Sequence, residues 1–426
     1  MLKAAGANIV EFDEKADIYI VNTCSVTNIA DKKSRQMLHR ARKMNPDGIV
    51  IAAGCYVQSA REILEQDEAI DIVISNNKKK SITEIVNDYI NVRNNEKNAP
   101  GKDHEAMEYF VDISRETEYE EMGGHVPVGH TRAYVKIQDG CNQFCSYCII
   151  PYVRGRIRSR SQEAILAEVS ELAEAGIKEV VLTGIHISSY GKDKNNEGAL
   201  IELIEAISKI KGIKRIRLGS LEPGIITEEF VERISSNSKV CPHFHLSLQS
   251  GCDSVLKRMN RKYTCEQYFE KCDMLRKAYK SPALTTDVIV GFPGETEEEF
   301  AETVRYLTEL NLYEMHIFKY SPRKGTVADA MKEQVAPEIK NERSDVLLKL
   351  AHDNKTAYEA QFEGCELEVL VEEVVKKDNK TYLRGHTERY MDILIDVGDI
   401  SMPESFVNSF VYVTYTQNGG NLPLLL

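Results

Sequence analysis

No apolar run in the 426 residues approaches the roughly 20 needed to span a bilayer, and the opening residues do not read as a signal peptide. Positive charge is short: Lys plus Arg number 54 against 66 Asp plus Glu, a net charge of −12. That balance excludes a globally basic nucleic-acid binder and leaves room for a local basic groove. Internal repeats and low-complexity tracts are missing too. The expectation is a cytoplasmic globular protein. Its 42 % hydrophobic and 28 % charged residues are close to ordinary globular usage. At roughly 150 residues per domain, the length predicts about three domains.

Cysteine, by contrast, is plentiful, with 10 residues. In a reducing compartment these are thiols, metal ligands or catalytic groups rather than disulfides. Three form Cys141-x3-Cys145-x2-Cys148 behind a candidate strand and Asp139–Gly140. Thiolates this close either converge on one metal centre or are idle, and idle thiols are not expected at this density. A structural zinc site is the alternative, but it normally takes four ligands, and the next Cys or His downstream is as far away as His186. Three cysteines on a four-iron cluster leave one iron open to bind a substrate or cofactor.

Periodicity divides the chain into an α/β segment (1–95), a polar linker (96–126), a second α/β segment (127–362) and a β-rich segment (363–426). In the first, Ala7–Phe12, Asp17–Thr23, Gly48–Ala53 and Asp71–Ser75 look like strands, and Asn28–Met44 like an amphipathic helix. Met1–Gly6 reads as a helix end. Asn91–Val126 is polar and aperiodic. Strand–helix alternation predicts a largely parallel sheet. In the second segment six β/α units, with strands Arg132–Gln138, Lys178–Thr183, Ile213–Leu218, His243–Leu248, Leu284–Val290 and Tyr313–Phe318, predict a partial, open (β/α)6 barrel. His243, His245, Ser247 and Gln249 share one face, which suggests a lumen for a polar ligand. The last segment reads as a small antiparallel β-domain, with strands Leu367–Val375, Lys380–Arg384, Asp392–Asp396 and Phe406–Thr416.

Cys24 and Cys55 each follow a first-segment strand, so both belong at the carboxyl edge of that sheet, where ligands of open α/β folds gather. They make a plausible half of a second metal site; burial as small apolar residues is the alternative. Cys241, Cys252, Cys265, Cys272 and Cys365 read as structural thiols.

The triad, with Tyr147 before its last cysteine, resembles the radical S-adenosylmethionine (SAM) signature, and IQDGCNQFCSYCIIPYVRGRIRSR (Ile137–Arg160) resembles the methylthiotransferase branch. VNTCSVT, AAGCYVQ, VLTGIHISSYG, RIRLGSLEP, HFHLSLQSG and DVIVGFPGET extend the likeness over most of the chain. LTGI, SLEP and FKYSPRKGT are most similar to bacterial members that act on N6-threonylcarbamoyladenosine in tRNA, rather than on isopentenyladenosine or a ribosomal protein.

The resemblance implies an N-terminal α/β domain, a six-unit partial barrel and a TRAM β-domain. It implies two [4Fe-4S] clusters and two SAM per turnover, one a methyl donor and one the source of a 5′-deoxyadenosyl radical, acting at C2 of adenine 37 beside the anticodon. Cys141, Cys145 and Cys148 would hold the SAM-binding cluster. Cys24 and Cys55 would hold the auxiliary cluster with a third cysteine that family members carry upstream of MLKAAGANIV. The expectation is therefore a shortened N-terminus. Candidate SAM contacts are Tyr147, Gly184, Ser247, Gln249, Gly291 and Gly294. An ordinary βα turn is the other reading of Val290–Gly294.

Arg154, Arg156, Arg158 and Arg160 could grip anticodon-loop phosphates, or form a solvated loop. Lys257, Arg258, Arg261 and Lys262, and then the Lys32–Lys43 helix, are weaker candidates. The acidic C-terminal segment would need a local patch of Lys376, Lys377, Lys380, Arg384 and Arg389, with Tyr382 or Tyr390 to stack on a base. The expected partners are the tRNA anticodon loop and an electron donor such as flavodoxin or ferredoxin, with no membrane. A rival from another class is a zinc-stabilised RNA-binding protein without catalysis.

Overall fold

The computed structural model describes residues 2–96, 107–123, 130–378, 380–398, 402–417 and 420–421. They fall into two compact units that interleave along the chain. One comprises Met1–Gly123, Asp139–Arg158 and Ser321–Ala330; the other comprises Gly124–Gln138, Ser159–Tyr320 and Met331–Leu426.

The first unit is built on a parallel sheet of Ile18–Thr23, Ile49–Gly54, Ile72–Ile74 and Met107–Tyr109, in that order. Alternate residues of the second strand supply both faces. Val50 and Ala52 pack with Leu38 and Ala41 of helix Asn28–Met44, whose N-terminus Thr27 caps. Ile49, Ile51 and Ala53 pack with Ile85 and Val86 of helix Ile82–Glu96. Helices therefore cover both faces, which is what hydrophobic parallel strands require.

Three expectations for this unit change. Residues 2–6 form turns rather than a helix end, and Ala7–Phe12 is not a strand. Phe12 anchors that segment edge-on to Tyr19, while Ile9 and Val10 are exposed and have no strand beside them. The aperiodic stretch from Asn91 starts inside a helix and includes the edge strand Met107–Tyr109, which is too short to display a period. Part of that stretch, 97–106 and 124–126, lies outside the described residues.

In the second unit, Arg132–Asp139, Glu179–Gly184 and Arg215–Leu218 pair in parallel, as do His243–His245, Ala283–Val290 and Glu314–Lys319. Isolated parallel bridges Ile216–Val240 and Leu221–Leu246 connect the two sets into one six-strand arc. Val135, Val180, Leu182, Leu284 and Val288 pack with helix residues such as Ile165, Val169, Leu203 and Phe300 in one continuous core. The fourth strand is regular only through His245. Beyond it the Tyr263 hydroxyl donates to the carbonyls of Ser247 and Leu248, both at 2.6 Å, and Gln249 turns to φ 77°.

The C-terminal strands Glu366–Lys377, Lys380–Thr387, Asp392–Asp396, Gly420–Asn421 and Phe410–Thr414 close into a small barrel. The expected strand from Phe406 begins at Phe410 instead, behind a 3-10 turn over Pro403–Phe406. Asn379 and Asp399, between the expected strands, lie outside the described residues. Within this unit Arg215 and Arg217 extend from a barrel strand to the carbonyls of His386, Glu368, Thr387 and Glu388.

Candidate cluster-binding site

The loop that carries the triad is shaped by a residue with no side chain. Gly140 has φ 73°, and a Cβ there would lie 1.8 Å from the Arg156 carbonyl oxygen. The loop then folds back on itself. Cys141 N–H donates to Gly155 O at 3.0 Å, Ile157 N–H to Asn142 Oδ1 at 3.3 Å, and Cys148 N–H to Cys145 O at 2.9 Å. Gln143 N–H points at Cys141 Sγ at 3.4 Å. Cys141 is buried and Cys145 and Cys148 are half-buried. One loop thus offers three soft ligands, a donor set suited to an iron–sulfur cluster.

Cys24 and Cys55 lie where the strand pattern puts them. Thr23 and Gly54 are register partners at the ends of neighbouring parallel strands, so the next residue on each strand is a cysteine at the same sheet edge. Cys24 is exposed and its N–H donates to Ser34 Oγ at 3.3 Å. Cys55 is buried beside Ile149 and Val153 of the triad loop. Arg154 Nε–H donates to Cys55 Sγ at 3.0 Å, and Asn76 Nδ2 lies 3.8 Å from the same sulfur.

Of the remaining cysteines, Cys241, Cys252 and Cys272 are buried, Cys265 is half-buried and Cys365 is exposed. Burial pushes the thiols of Cys241 and Cys272 up to about 12 and raises those of Cys252 and Cys265.

The arginine cluster is a correction. Of the four, Arg156 alone is exposed, lying over the Phe144 ring at 4.5 Å. Arg158 is 1 % exposed and faces Asp139 at 3.9 Å. Arg160 is buried against Glu168. Arg154 is divided between Cys55 and Asp139. Even spacing on a charged loop concealed that three side chains turn inward to carboxylates or sulfur.

In the weaker basic patches the arginines are paired within the protein, while the lysines, Lys376, Lys377 and Lys380 included, are exposed. Arg258 pairs with Glu299 and Arg261 with Glu222, leaving Lys257 and Lys262 exposed. Arg384 pairs with Asp392, and Arg389 donates to the carbonyls of Ser281 and Lys280. Tyr390 stacks on His386 and sits under Arg132 and Arg217, so it is packed within the unit rather than presented to a base. On the Asn28–Met44 helix Lys32, Lys33, Arg35, Arg40 and Lys43 do face solvent.

In the barrel unit Gly184 ends its strand where a Cβ would meet Gln138 O at 2.9 Å, and Gln138 Oε1 accepts the His186 N–H at 2.8 Å. Ser247 is half-buried and Gln249 buried, while Tyr147 is half-buried in the triad loop. The Gly291 and Gly294 N–H groups donate to Glu295 Oε2 at 2.6 Å and Glu333 O at 2.7 Å, so both donors of that loop are directed at protein acceptors.

Sequence reasoning missed several polar groups on the barrel strands. Asp287 and His316 are register partners, and their ligand atoms lie within 4.8 Å of each other and of His245. His245 Nδ1 is 3.0 Å from Thr285 Oγ1, whereas its buried Nε2, 3.3 Å from Asp287, has no hydrogen-bond partner among the described residues. Asp287 was the available signal, as one carboxylate in the β-branched run LTTDVIV. Glu222 is the second group missed. Burial would raise its carboxyl, but hydrogen bonding to His186 and the Arg261 charge outweigh burial and hold it below the usual range.

Comparison with known proteins shows the family. Residues 135–307 match the Radical SAM superfamily, and residues 1–75 match the uncharacterized protein family UPF0004. The chain is 39 % identical to a threonylcarbamoyladenosine tRNA methylthiotransferase MtaB of Bacillus subtilis, over 92 % of this chain and 85 % of that protein. It is 36 % identical to a tRNA-2-methylthio-N(6)-dimethylallyladenosine synthase of Thermoanaerobacter pseudethanolicus, over 98 % of this chain and 86 % of that protein. The radical SAM methyltransferase TsrM of Kitasatospora setae, solved with cobalamin and a [4Fe-4S] cluster, shares the fold at TM-score 0.55 and 15 % identity, over 74 % of this chain and 66 % of that one.

Proposed function

Because the chain belongs to the radical SAM methylthiotransferase family, we propose that it transfers a methylthio group to C2 of N6-threonylcarbamoyladenosine at position 37 of tRNA, next to the anticodon. The observation that carries this reading is the 39 % identity, spread over 92 % of the chain, to a relative named for that nucleoside. The SLEP and FKYSPRKGT segments support it. Its cofactors are SAM and two [4Fe-4S] clusters. When bound, they supply a 5′-deoxyadenosyl radical, a methyl group and the sulfur-carrying centre.

Each residue has a place in that chemistry. Cys141, Cys145 and Cys148 bind the SAM-bearing cluster, on a loop that Gly140 permits. Cys24 and Cys55 would supply two of the ligands of the auxiliary cluster, whose third family ligand lies upstream of Met1. Tyr147 on the triad loop, and Gly184, Ser247 and Gln249 in the barrel, are the candidate SAM contacts. Gly291 and Gly294 shape the neighbouring loop rather than donate to SAM. Arg156 meets the tRNA backbone near the anticodon loop, whose unpaired bases are unstacked cheaply. Electrons arrive from a flavodoxin- or ferredoxin-like donor, in the cytoplasm.

Nucleoside mass spectrometry of tRNA from a strain lacking the gene tests the reading. The methylthio mark should vanish from threonylcarbamoyladenosine alone. Its loss from the dimethylallyl nucleoside instead would assign the chain to the substrate of its 36 %-identical relatives. Unchanged tRNA would remove the function.

A further inference from the structure

Three neighbouring barrel strands each present one metal-ligating side chain to the same place. Strand Ala283–Val290 lies between His243–His245 and Glu314–Lys319. Parallel pairing sets Thr285 beside His245 and Asp287 beside His316. Side chains alternate along a strand. Phe244, Leu284, Val288 and Met315 go to the helix-covered core, so His245, Thr285, Asp287 and His316 share the opposite face. The ligand atoms of His245, Asp287 and His316 all lie within 4.8 Å of one another. All three residues belong to one compact unit, and none is a cysteine.

His245 and Asp287 are close without being hydrogen-bonded. Nε2 lies 3.3 Å from Asp287 Oδ2, yet it makes no hydrogen bond to any described residue. On the other side of the ring, Nδ1 is 3.0 Å from Thr285 Oγ1. With Nδ1–H donating to Thr285, Nε2 turns a lone pair towards the carboxylate, and two acceptors at that range call for a cation between them. Metal-bound histidines are oriented in this way, through a hydrogen bond at the second nitrogen. Nitrogen and oxygen ligands sit about 2.0–2.2 Å from a transition ion, which puts donors sharing it roughly 3–3.5 Å apart. The His245–Asp287 pair already has that separation. The remaining closure falls to His316, which is exposed on the outer strand. Two imidazoles and one carboxylate suit zinc or ferrous iron better than magnesium or calcium. We propose that His245, Asp287 and His316 bind one divalent transition-metal ion. Three protein ligands leave its remaining coordination positions to water or to an oxygen donor of a bound molecule.

Zinc is the probe, because it outcompetes ferrous iron for such donors. The full chain, reconstituted anaerobically so that its cysteine ligands are in their working state, is dialysed against a graded series of zinc concentrations. Wild type, Asp287→Asn and His316→Ala are compared by zinc per chain and by X-ray absorption at the zinc edge. Zinc on cysteines is common to all three proteins, so the difference between them reports this site. Wild type should hold one more zinc per chain than either variant, with nitrogen and oxygen in its shell. Each substitution should weaken that binding by at least about tenfold, a loss that even outer-shell partners produce. Asp287→Asn keeps the side-chain shape and His316 is exposed, so either variant alone decides the matter if the other does not fold. Equal zinc in all three proteins, or a zinc shell of sulfur alone, would overturn the inference. Neither result touches the methylthiotransferase reading, which the tRNA nucleosides test separately.

Discussion

At the scale of single residues, the site depends on positions where chemistry has few substitutes. Gly140→Ala should cost on the order of 1–3 kcal/mol in backbone strain alone, before the 1.8 Å approach to the Arg156 carbonyl is relieved. The variant should fold yet incorporate less iron, measured as iron per chain after reconstitution. Cys145→Ala should abolish 5′-deoxyadenosine release on reduction, and persistent release would count against the triad as the SAM-bearing site. The thiols should sort by environment in cluster-free protein. Exposed Cys24 should alkylate at neutral pH, while Cys241 and Cys272, buried and pushed up to about 12, should not; mass spectrometry of alkylated peptides checks this. The cysteines were legible in the sequence because thiolate spacing is itself the chemistry. The arginines were not. An exposed Arg156 and a buried Arg158 differ only in whether the chain brings a carboxylate to them, and Asp139 lies well upstream.

At the scale of elements, local patterns carried far. Helix Asn28–Met44 could be bounded from its apolar spacing, and Thr27 indeed caps it. Helix Glu297–Leu310 has a full capping box, with Thr296 Oγ1 accepting from Glu299 N–H at 3.2 Å and Glu299 Oε2 accepting from Thr296 N–H at 3.0 Å. Thr296→Ala should cost about 1 kcal/mol. The Arg258 hydrogen bond is the main force holding the Glu299 carboxyl down at about 2. A folded-state value below the unfolded one stabilises at higher pH. The support from Glu299 is therefore complete above about 4.5 and is lost as pH falls towards 2. Thermal midpoints of wild type and Glu299→Gln should differ at neutral pH and converge across that window. Elements without a period were missed: the three-residue strand Met107–Tyr109 owes its place to a neighbouring strand, not to its own pattern.

Across the whole molecule, the alternation of strands and helices announced the two α/β architectures and the terminal β-domain. What it hid was long-range pairing. Arg217 is 3 % exposed, bonds to the buried Glu179 at 2.7 Å, and also reaches the C-terminal strands. Burial alone would raise the Glu179 carboxyl, but the Arg217 charge and hydrogen bond outweigh it and hold it low. Arg217→Leu removes the hydrogen-bonded partner of that buried carboxylate, leaving the Arg215 guanidinium at 3.8 Å, and should destabilise by about 3 kcal/mol. The partial barrel and the β-domain form one compact unit. Calorimetry of the variant should therefore show both melting in one lowered transition. A β-domain that melts separately at its original temperature would contradict that coupling.

The order in which the chain visits its two units has a practical consequence. It passes from one to the other five times, so no single cut in the gene yields either half whole. A chimaera that grafts this N-terminal sheet onto a different catalytic scaffold would have to bring two excursions of 139–158 and 321–330 with it. Recombination between relatives should accordingly succeed only where both parents already share those inserts.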